Sequence, residues 1–240
     1  MCTLGVLPHH YLFKTRDLWQ DSSQSEMVVE RKARFRYIGI EGRAYSNESG
    51  LNSGINEAGI AVAITFVDHI TLKSALGGKT PRGVLVEDIL ATCETIEEAV
   101  NTFIGYKDRP LVGGNIVITS PEGGVTIEQL YPRFALEWHR EHPVVRTNHF
   151  LNLKGELDES NTSQNSLTRW QRLVELLHDG ERGADSIKTF LGDHSGKEPI
   201  CNHKGSLVTR SAVIYDLNSR TLQYHSGFPC ANKWTTFNIS

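Results

Sequence analysis

The sequence predicts an α+β fold in which two β-sheets face each other between two layers of helices. The predicted elements come in blocks, as strands, two helices, strands, two helices and strands. Each helix pair needs a sheet face to cover its apolar side, and two stacked sheets provide one face for each pair. The length of 240 residues suits one domain, which we expect to span 1–240. A single mixed sheet with helices on one face is the alternative.

Short apolar or alternating runs predict the strands. They cover residues 2–7, 11–15, 35–40, 60–66, 115–120, 125–131, 133–139, 144–150, 211–217 and 221–226. The polar stretch 20–26 is typical of a surface loop, and Asn56-Glu57-Ala58-Gly59 is typical of a tight turn.

Four helices are predicted, at residues 81–93, 96–106, 165–178 and 184–191. Thr80-Pro81 offers an N-cap and a first-turn proline for the first helix. Thr95 and Glu98 form a capping-box pattern at the start of the second. Apolar residues recur every three or four positions in the third, which is typical of an amphipathic helix.

Composition and charge exclude several classes of protein. The chain is 39% hydrophobic and 22% charged, which is normal for a globular protein and excludes a disordered one. The formal net charge is −3, so the chain lacks the excess of basic residues typical of proteins that bind nucleic acid or an anionic membrane. No apolar run reaches the roughly 18 residues that span a bilayer, and we identify no secretory signal. We therefore expect a cytoplasmic protein, and assembly into a homo-oligomer stays open.

The cysteines indicate a reduced chain. Cys2, Cys93, Cys201 and Cys230 are sparse and irregularly spaced. Cys201-Asn202-His203 and Cys230 offer three zinc-type ligands, but their spacing fits no familiar zinc site. We expect neither a metal nor another cofactor.

Cys2 directly follows Met1 and is small enough for methionine removal. Removal would give one residue both a thiol, with a reference pKa of roughly 8.5, and an α-amine, with a pKa of roughly 7.7–8.0. The amine can then act as the base for its own thiol, which is the logic of an N-terminal nucleophile. The alternative is a buried, inert cysteine that keeps Met1.

Other polar residues stand at predicted strand ends. Asp17 lies one hairpin from Cys2, where an acid can hold the α-amine and a nearby cation can favour thiolate, although an ordinary exposed ion pair is the alternative. Asn148 is a neutral donor suited to an oxyanion, or else the cap of a turn. His149 is the weaker candidate, because a histidine beside aromatic residues is more often a packed core residue.

The third predicted helix carries two arginines. A helical wheel places Arg169 at the flank of the buried stripe and Arg172 toward solvent. An arginine directed toward the interior needs an anionic or carbonyl partner, so Arg169 is the better functional candidate. The alternative for both is a surface pair with Glu175 or Asp179.

Five segments occur in the order of a known superfamily. They are Cys2-Thr3, Lys14-Thr15-Arg16-Asp17, Gly54-Ile55-Asn56-Glu57-Ala58-Gly59-Ile60, Thr147-Asn148, and Ser166 to Arg169. Together they resemble the choloylglycine hydrolase and penicillin acylase superfamily of N-terminal-nucleophile hydrolases, especially its isopenicillin-N acyltransferase-like branch (peptidase C45). The strands ending in Ser226-Gly227-Phe228-Pro229-Cys230 extend the resemblance over nearly the whole chain.

The resemblance implies a four-layer αββα sandwich of two antiparallel sheets. It also implies that Cys2 is the nucleophile and its freed amine the base. Asp17 would hold that amine, Asn148 would donate to the oxyanion, and Arg169 would orient the centre.

Two further positions follow from the resemblance. Lys14 stands where bile-salt hydrolases carry an arginine, which keeps the positive charge but loses the bidentate fork. The second oxyanion donor is a backbone N–H just after the strand at 59–64, which here belongs to Thr65 or Phe66.

The function implied is cleavage of a linear amide in a small N-acyl compound, through an acyl-enzyme on Cys2. An acyltransferase that passes the acyl group to a second amine would use the same residues. A non-catalytic binding protein that retains the fold is the third alternative. Bile acids, penicillins, N-acyl lactones and peptide-like metabolites are all compatible substrates.

Overall fold

The computed structural model describes residues 1–20, 26–42, 49–68, 78–153, 163–179, 183–231 and 233–239. In chain order the strands are β1 (Leu4–Leu7), β2 (Tyr11–Trp19), β3 (Glu26–Lys32), β4 (Arg36–Gly42), β5 (Leu51–Asn56), β6 (Ala61–Thr65), β7 (Gly114–Ser120), β8 (Gly123–Leu130), β9 (Arg133–His139), β10 (Val144–Arg146), β11 (Leu207–Asp216), β12 (Thr221–Ser226) and β13 (Thr235–Asn238). The helices are α1 (Arg82–Thr92), α2 (Ile96–Gly105), α3 (Gln164–Asp179) and α4 (Ala184–Leu191), with a 3₁₀ turn at Tyr106–Asp108.

The strands form two sheets. One has six strands in the order β10-β1-β2-β11-β12-β13, and the other has seven in the order β3-β4-β5-β6-β7-β8-β9. The strand pairs of both sheets are antiparallel. The N-terminal strand β1 is therefore an interior strand of the six-stranded sheet, between β10 and β2.

Three apolar cores separate four layers. Ile89 of α1 belongs to the core against the seven-stranded sheet, and Leu173 of α3 belongs to the core against the six-stranded sheet. Both side chains are fully buried, which stabilises the fold by roughly 1.5–3 kcal/mol for each. The third core lies between the sheets, where the Tyr215 hydroxyl and Ser53 Oγ form a hydrogen bond of 2.8 Å. The predicted αββα sandwich is confirmed, and the single mixed sheet is wrong.

The four predicted helices are confirmed to within one residue at each end. The capping-box prediction is correct for α2, since Thr95 Oγ1 accepts the backbone N–H of Glu98 at 3.1 Å. The predicted N-cap of α1 is wrong by one residue. Pro81 occupies that position, without a side-chain cap, and Arg82 begins the helix.

Three strands were not predicted. β3 and β13 are edge strands whose side chains are half-buried or exposed, so neither shows the regular apolar alternation that marks a strand in sequence. In β5 the run Asn52-Ser53-Gly54 is typical of turns. Gly54 nevertheless lies in the strand beneath α1, where a Cβ would stand 2.5 Å from Leu90 Cδ1. The polar stretch predicted as a loop is mostly outside the described residues, and Glu26 begins β3.

The predicted strand 144–150 is too long. β10 ends at Arg146, where the backbone leaves the ladder with β1 and the next residues bond to α3. Thr147 Oγ1 donates to the Ser166 carbonyl at 2.9 Å, and the Asn148 N–H donates to Ser166 Oγ at 2.8 Å. This departure from the sheet brings Asn148 beside the N-terminus. No helix of the described ranges combines the length and hydropathy needed to cross a bilayer.

His139 is expected to make stability depend on pH. Burial lowers its pKa from 6.5 to about 4, and its Nε2 has no hydrogen-bond partner among the described residues. Between these pH values the unfolded chain binds a proton that the folded chain does not, so acidification favours unfolding. We expect the free energy of unfolding to fall by about 2–3 kcal/mol as the pH drops from 6.5 to 4.

Denaturant titrations of wild type and His139→Gln at several pH values test this prediction. The variant should lose that part of the pH dependence, whereas His142→Gln, at an exposed position, should keep it. Equal acid slopes for wild type and His139→Gln would contradict the prediction.

Candidate active site

The residues before β1 continue the ladder between β1 and β2. The Met1 amine donates to the Asp17 carbonyl at 2.8 Å, and the Asp17 N–H donates back to the Met1 carbonyl at 2.7 Å. The Thr15 N–H donates to the Thr3 carbonyl at 2.8 Å. Cys2, between them, is only 7% exposed. Its backbone is therefore fixed by β2 on one side.

Asn148 fixes Cys2 from the other side. Its Oδ1 accepts the Cys2 N–H at 3.0 Å and an Arg169 N–H at 2.8 Å. Its Nδ2 donates to the Phe66 carbonyl at 2.8 Å. The amide is fully buried, and each of its two polar atoms has a partner. One Nδ2 proton is used by Phe66, which leaves the second for another acceptor.

Arg169 joins α3 to the N-terminus. It is 1% exposed, as the helical wheel predicted for the arginine facing inward. Its Nη1 donates to the Cys2 carbonyl at 2.7 Å and to Thr3 Oγ1 at 2.8 Å, and its Nε donates to Asn165 Oδ1 at 2.8 Å. Because these partners are neutral, the guanidinium brings a net positive charge to the buried site.

Lys14 is a second buried basic side chain. Its Nζ donates to Asn52 Oδ1 at 2.5 Å and to the Ile64 carbonyl at 2.6 Å. Burial lowers the pKa of Lys14 below its usual value, and the neighbouring Cys2 opposes that shift. A cation close to a thiol favours the thiolate. Lys14 therefore lies where it can stabilise the ionised form of Cys2.

Asp17 lies within β2, which runs on to Trp19 rather than ending near the predicted position. Its carboxylate accepts a hydrogen bond from Thr209 Oγ1 at 2.8 Å. The bonds between residue 17 and the N-terminus are backbone bonds to Met1. While Met1 is attached, the nitrogen of Cys2 is an amide and not an amine. The predicted bond from the Asp17 carboxylate to the Cys2 amine therefore stays a prediction.

The two candidate backbone donors differ in their surroundings. Thr65 is the last residue of β6 and pairs with Asn115 of β7. Phe66 follows the strand, is 37% exposed, and lies beside Asn148 through its carbonyl. Phe66 also lines the cavity at Cys2, whereas Thr65 does not. Phe66 is therefore the candidate that lies at the cavity, and the oxyanion role of either N–H stays a prediction.

A cavity of about 60 Å³ opens onto Cys2. Its lining includes Met1, Asp17, Asn52 and Phe66. Sites for small-molecule ligands usually measure roughly 300–1,000 Å³, so this cavity is too small for a substrate while Met1 forms part of its wall. Because Met1 and Cys2 both line this cavity, removing Met1 would enlarge it beside Cys2.

Comparison with known proteins identifies the family. Residues 7–230 match the family described as acyl-coenzyme A:6-aminopenicillanic acid acyl-transferase. The chain belongs to this family. The resemblance predicted from the sequence is thereby confirmed at the level of the superfamily. No curated protein shows significant sequence similarity to the chain.

Solved structures share the fold of this family member. The C2A mutant of conjugated bile acid hydrolase from Clostridium perfringens is 13% identical, with a TM-score of 0.62 over 100% of this chain and 97% of that chain. Penicillin V acylase from Agrobacterium tumefaciens is 13% identical, with a TM-score of 0.58 over 99% and 85%. The Caenorhabditis elegans ortholog of N-acylethanolamine-hydrolyzing acid amidase is 15% identical, with a TM-score of 0.61 over 100% of both chains.

Three residues near the site of this family member were not assigned roles from the sequence. Thr209 holds the Asp17 carboxylate, and Ser166 holds the backbone of Asn148. Arg82, at the start of α1, lines the cavity and donates to the Thr65 carbonyl at 2.5 Å. Ser166 was visible as part of a family segment. Thr209 and Arg82 depend on strand pairing and helix docking, which leave no local signal.

His149 and Arg172 lie outside the immediate site. His149 Nδ1 lies 2.8 Å from Ser166 Oγ, and its ring packs edge-on against Trp170. This is the packed arrangement that was the commoner expectation for a histidine beside aromatic residues. Arg172 pairs with Asp193 and Glu175 on the outer side of α3.

Removing the Arg169 side chain is expected to destabilise the family fold. Arg169→Ala leaves the buried Cys2 carbonyl and Thr3 Oγ1 without this donor and removes one of the two donors to Asn148 Oδ1. Each unsatisfied buried group costs roughly 1–3 kcal/mol. We expect a loss of about 3 kcal/mol in the free energy of unfolding, measured by urea titration. Arg172→Ala is the control, because its partly exposed ion pairs are worth about 1 kcal/mol or less. Equal losses in the two variants would contradict the assignment.

Proposed function

We propose that the protein is a cysteine amidohydrolase that cleaves a linear amide of a small N-acyl compound after removal of Met1. The observation that carries this proposal is the convergence on Cys2 of Asn148, Arg169 and Lys14, which come from the segment after β10, from α3 and from β2. Buried backbone groups need partners around any residue, but two buried basic side chains beside a cysteine favour its thiolate. The fold shared with a bile acid hydrolase, a penicillin acylase and an acid amidase supports the same chemistry.

The first half of the reaction forms an acyl-enzyme. The freed α-amine of Cys2 takes the proton of the thiol, and Lys14 stabilises the resulting thiolate. The sulfur attacks the amide carbonyl carbon, and the oxygen becomes an oxyanion bound by Asn148 Nδ2 and the N–H of Phe66. The C–N bond then breaks, and the leaving amine takes the proton held by the α-ammonium. The Asp17 carboxylate binds that ammonium. Arg169 holds Cys2 and Asn148 in position relative to each other.

The second half releases the acid. Water loses a proton to the α-amine and attacks the thioester carbonyl, and the same donors stabilise the second oxyanion. The C–S bond breaks, the sulfur recovers the proton, and the free carboxylic acid leaves. No cofactor takes part in these steps.

An acyltransferase is the second candidate function, because the matched family is described by that activity. A second amine would then replace water in the release step, with the same residues in the same roles. We also propose that the chain belongs to the isopenicillin-N acyltransferase-like branch, a proposal that accords with this second function. A non-catalytic protein that retains the fold remains the third alternative.

The experiment that tests the proposal is a turnover assay of the full chain with confirmed loss of Met1. The panel should contain conjugated bile acids, penicillins, N-acyl lactones and N-acyl amino acids, with and without added acceptor amines. A hydrolase releases the free acid at a rate that is unchanged by the acceptor. An acyltransferase forms a new amide in proportion to the acceptor. No product with any member of the panel would favour the binding protein.

Two further proposals concern the cellular context. We infer a cytoplasmic location, because the four sparse cysteines are free in the structure, as in proteins of reducing compartments. We also infer that residues 1–240 form one domain, since three cores connect the layers without an interruption in the described ranges. Homo-oligomer formation stays a prediction that light scattering would test.

A further inference from the structure

A second group of reactive side chains lies at one end of the six-stranded sheet. His194 follows α4, Cys201 and His203 precede β11, and Cys230 follows β12. Each of the four offers one ligand atom, and these atoms all lie within 4.8 Å of one another. The candidate mechanism uses none of these residues, so their convergence needs another explanation.

The distances in this cluster match a tetrahedral metal site. His203 Nε2 lies 3.3 Å from Cys201 Sγ and 3.4 Å from Cys230 Sγ. With Zn–S bonds of about 2.3 Å and Zn–N bonds of about 2.0–2.1 Å, a sulfur and a nitrogen ligand stand roughly 3.6 Å apart. Two thiolates and two neutral imidazoles form a ligand set that zinc commonly takes. The two thiolates balance the double positive charge of the ion.

The surrounding contacts hold the ligands in place. His194 Nδ1 lies 3.1 Å from the Cys201 carbonyl, which leaves Nε2 for a metal. Metal-bound histidines commonly bond a backbone carbonyl through their other ring nitrogen in this way. The His203 ring stacks on Phe228 at a centroid distance of 3.7 Å. These contacts orient both rings from outside the cluster.

We propose that His194, Cys201, His203 and Cys230 bind a structural zinc ion. Four protein ligands complete the tetrahedral coordination, so the metal has no open position for a substrate. The sequence analysis considered three of these residues, and their spacing fits no familiar zinc site. The fold adds His194 from the segment after α4, a contribution that spacing alone does not reveal.

Hydrogen bonds connect the proposed zinc site to the candidate active site. Asn202, between the ligands Cys201 and His203, accepts the Thr209 N–H at 2.8 Å and donates to Thr209 Oγ1 at 2.9 Å. The same Oγ1 donates to the Asp17 carboxylate at 2.8 Å. Only two hydrogen bonds therefore separate the ligand loop from Asp17.

The test is a metal analysis of the full chain purified under reducing conditions without an affinity metal. We expect one zinc ion per chain by elemental mass spectrometry. X-ray absorption of the wild-type protein should show two sulfur ligands at about 2.3 Å and two nitrogen ligands at about 2.0–2.1 Å. Loss of a second-shell partner costs roughly 10–100-fold in metal affinity, and we expect Cys201→Ser and Cys230→Ser to lose more than that.

Matched variants separate metal binding from folding and from catalysis. His194→Gln changes an exposed ligand and should weaken zinc binding while the circular dichroism spectrum is kept. Cys93→Ser and Cys2→Ser should retain the full zinc content. Wild-type protein without zinc, an absorption spectrum without sulfur, or a Cys201–Cys230 disulfide in the wild type would each overturn the proposal. Zinc retained at wild-type affinity in Cys201→Ser would do so as well.

Discussion

Replacing Cys2 by alanine is expected to lower kcat for an N-acyl amide by at least about 10⁴-fold, because the acyl-enzyme cannot form without the sulfur. Alanine is small enough for Met1 to be removed, so the free amine is kept. The thiol also makes no hydrogen bond on which the described fold depends, and the melting temperature should change little. Steady-state kinetics and a thermal melt of the same preparation measure both effects.

Cys93→Ala is the matched control for this change. Cys93 is as buried as Cys2 and is also a free thiol, but it caps the end of α1, where its Sγ contacts Thr102. We expect its kcat to stay within about threefold of wild type. Comparable activity in Cys2→Ala and Cys93→Ala would remove Cys2 from the mechanism.

The second large effect is expected at Asn148. Asn148→Ala removes one donor to the oxyanion, and the loss of one such donor typically lowers kcat by about 10²–10³-fold. Because the contribution arises in the transition state, KM should change much less than kcat. The variant also leaves the Cys2 N–H and one Arg169 N–H without an acceptor, so we expect a loss of about 1–3 kcal/mol in stability.

Asn56→Ala separates the catalytic effect from the structural one. Asn56 is a fully buried amide with partners on both polar atoms, as its Oδ1 accepts from Ile60 and its Nδ2 donates to Leu90 and Cys93. The Asn56→Ala variant should lose about as much stability as Asn148→Ala and keep kcat within about tenfold of wild type. If both variants lost the same fraction of kcat, the oxyanion role of Asn148 would be wrong.

Local sequence patterns account for much of the fold. The helices follow from apolar periodicity and from caps such as Thr95, since these signals lie within a few residues of each element. The edge strand β3 was not predicted, because its apolar residues Met27, Val28 and Val29 are flanked by charged ones and none of its side chains is fully buried. The end of β10 was not predicted either, because Asn148 leaves the sheet to bond to Ser166 of α3.

Some residues of the candidate site could likewise be identified from local sequence segments, and others could not. Cys2, Asn148 and Arg169 lie in short segments that resemble a family, so the sequence alone pointed to them. Thr209 lies 192 positions from its partner Asp17, and the pairing depends on the β2–β11 register, which shifts just after Thr209. No local pattern carries that information. The metal-type cluster is hidden for the same reason, since three separate segments meet there.

The central claim is that the sulfur and the free amine of Cys2 together perform the chemistry. Acid quenching during turnover of an N-acyl amide, followed by intact-mass analysis and peptide mapping, tests it directly. We expect an acyl adduct on a peptide whose first residue is Cys2, with Met1 absent. An adduct on any other residue, or sustained turnover by protein that keeps Met1, would contradict it.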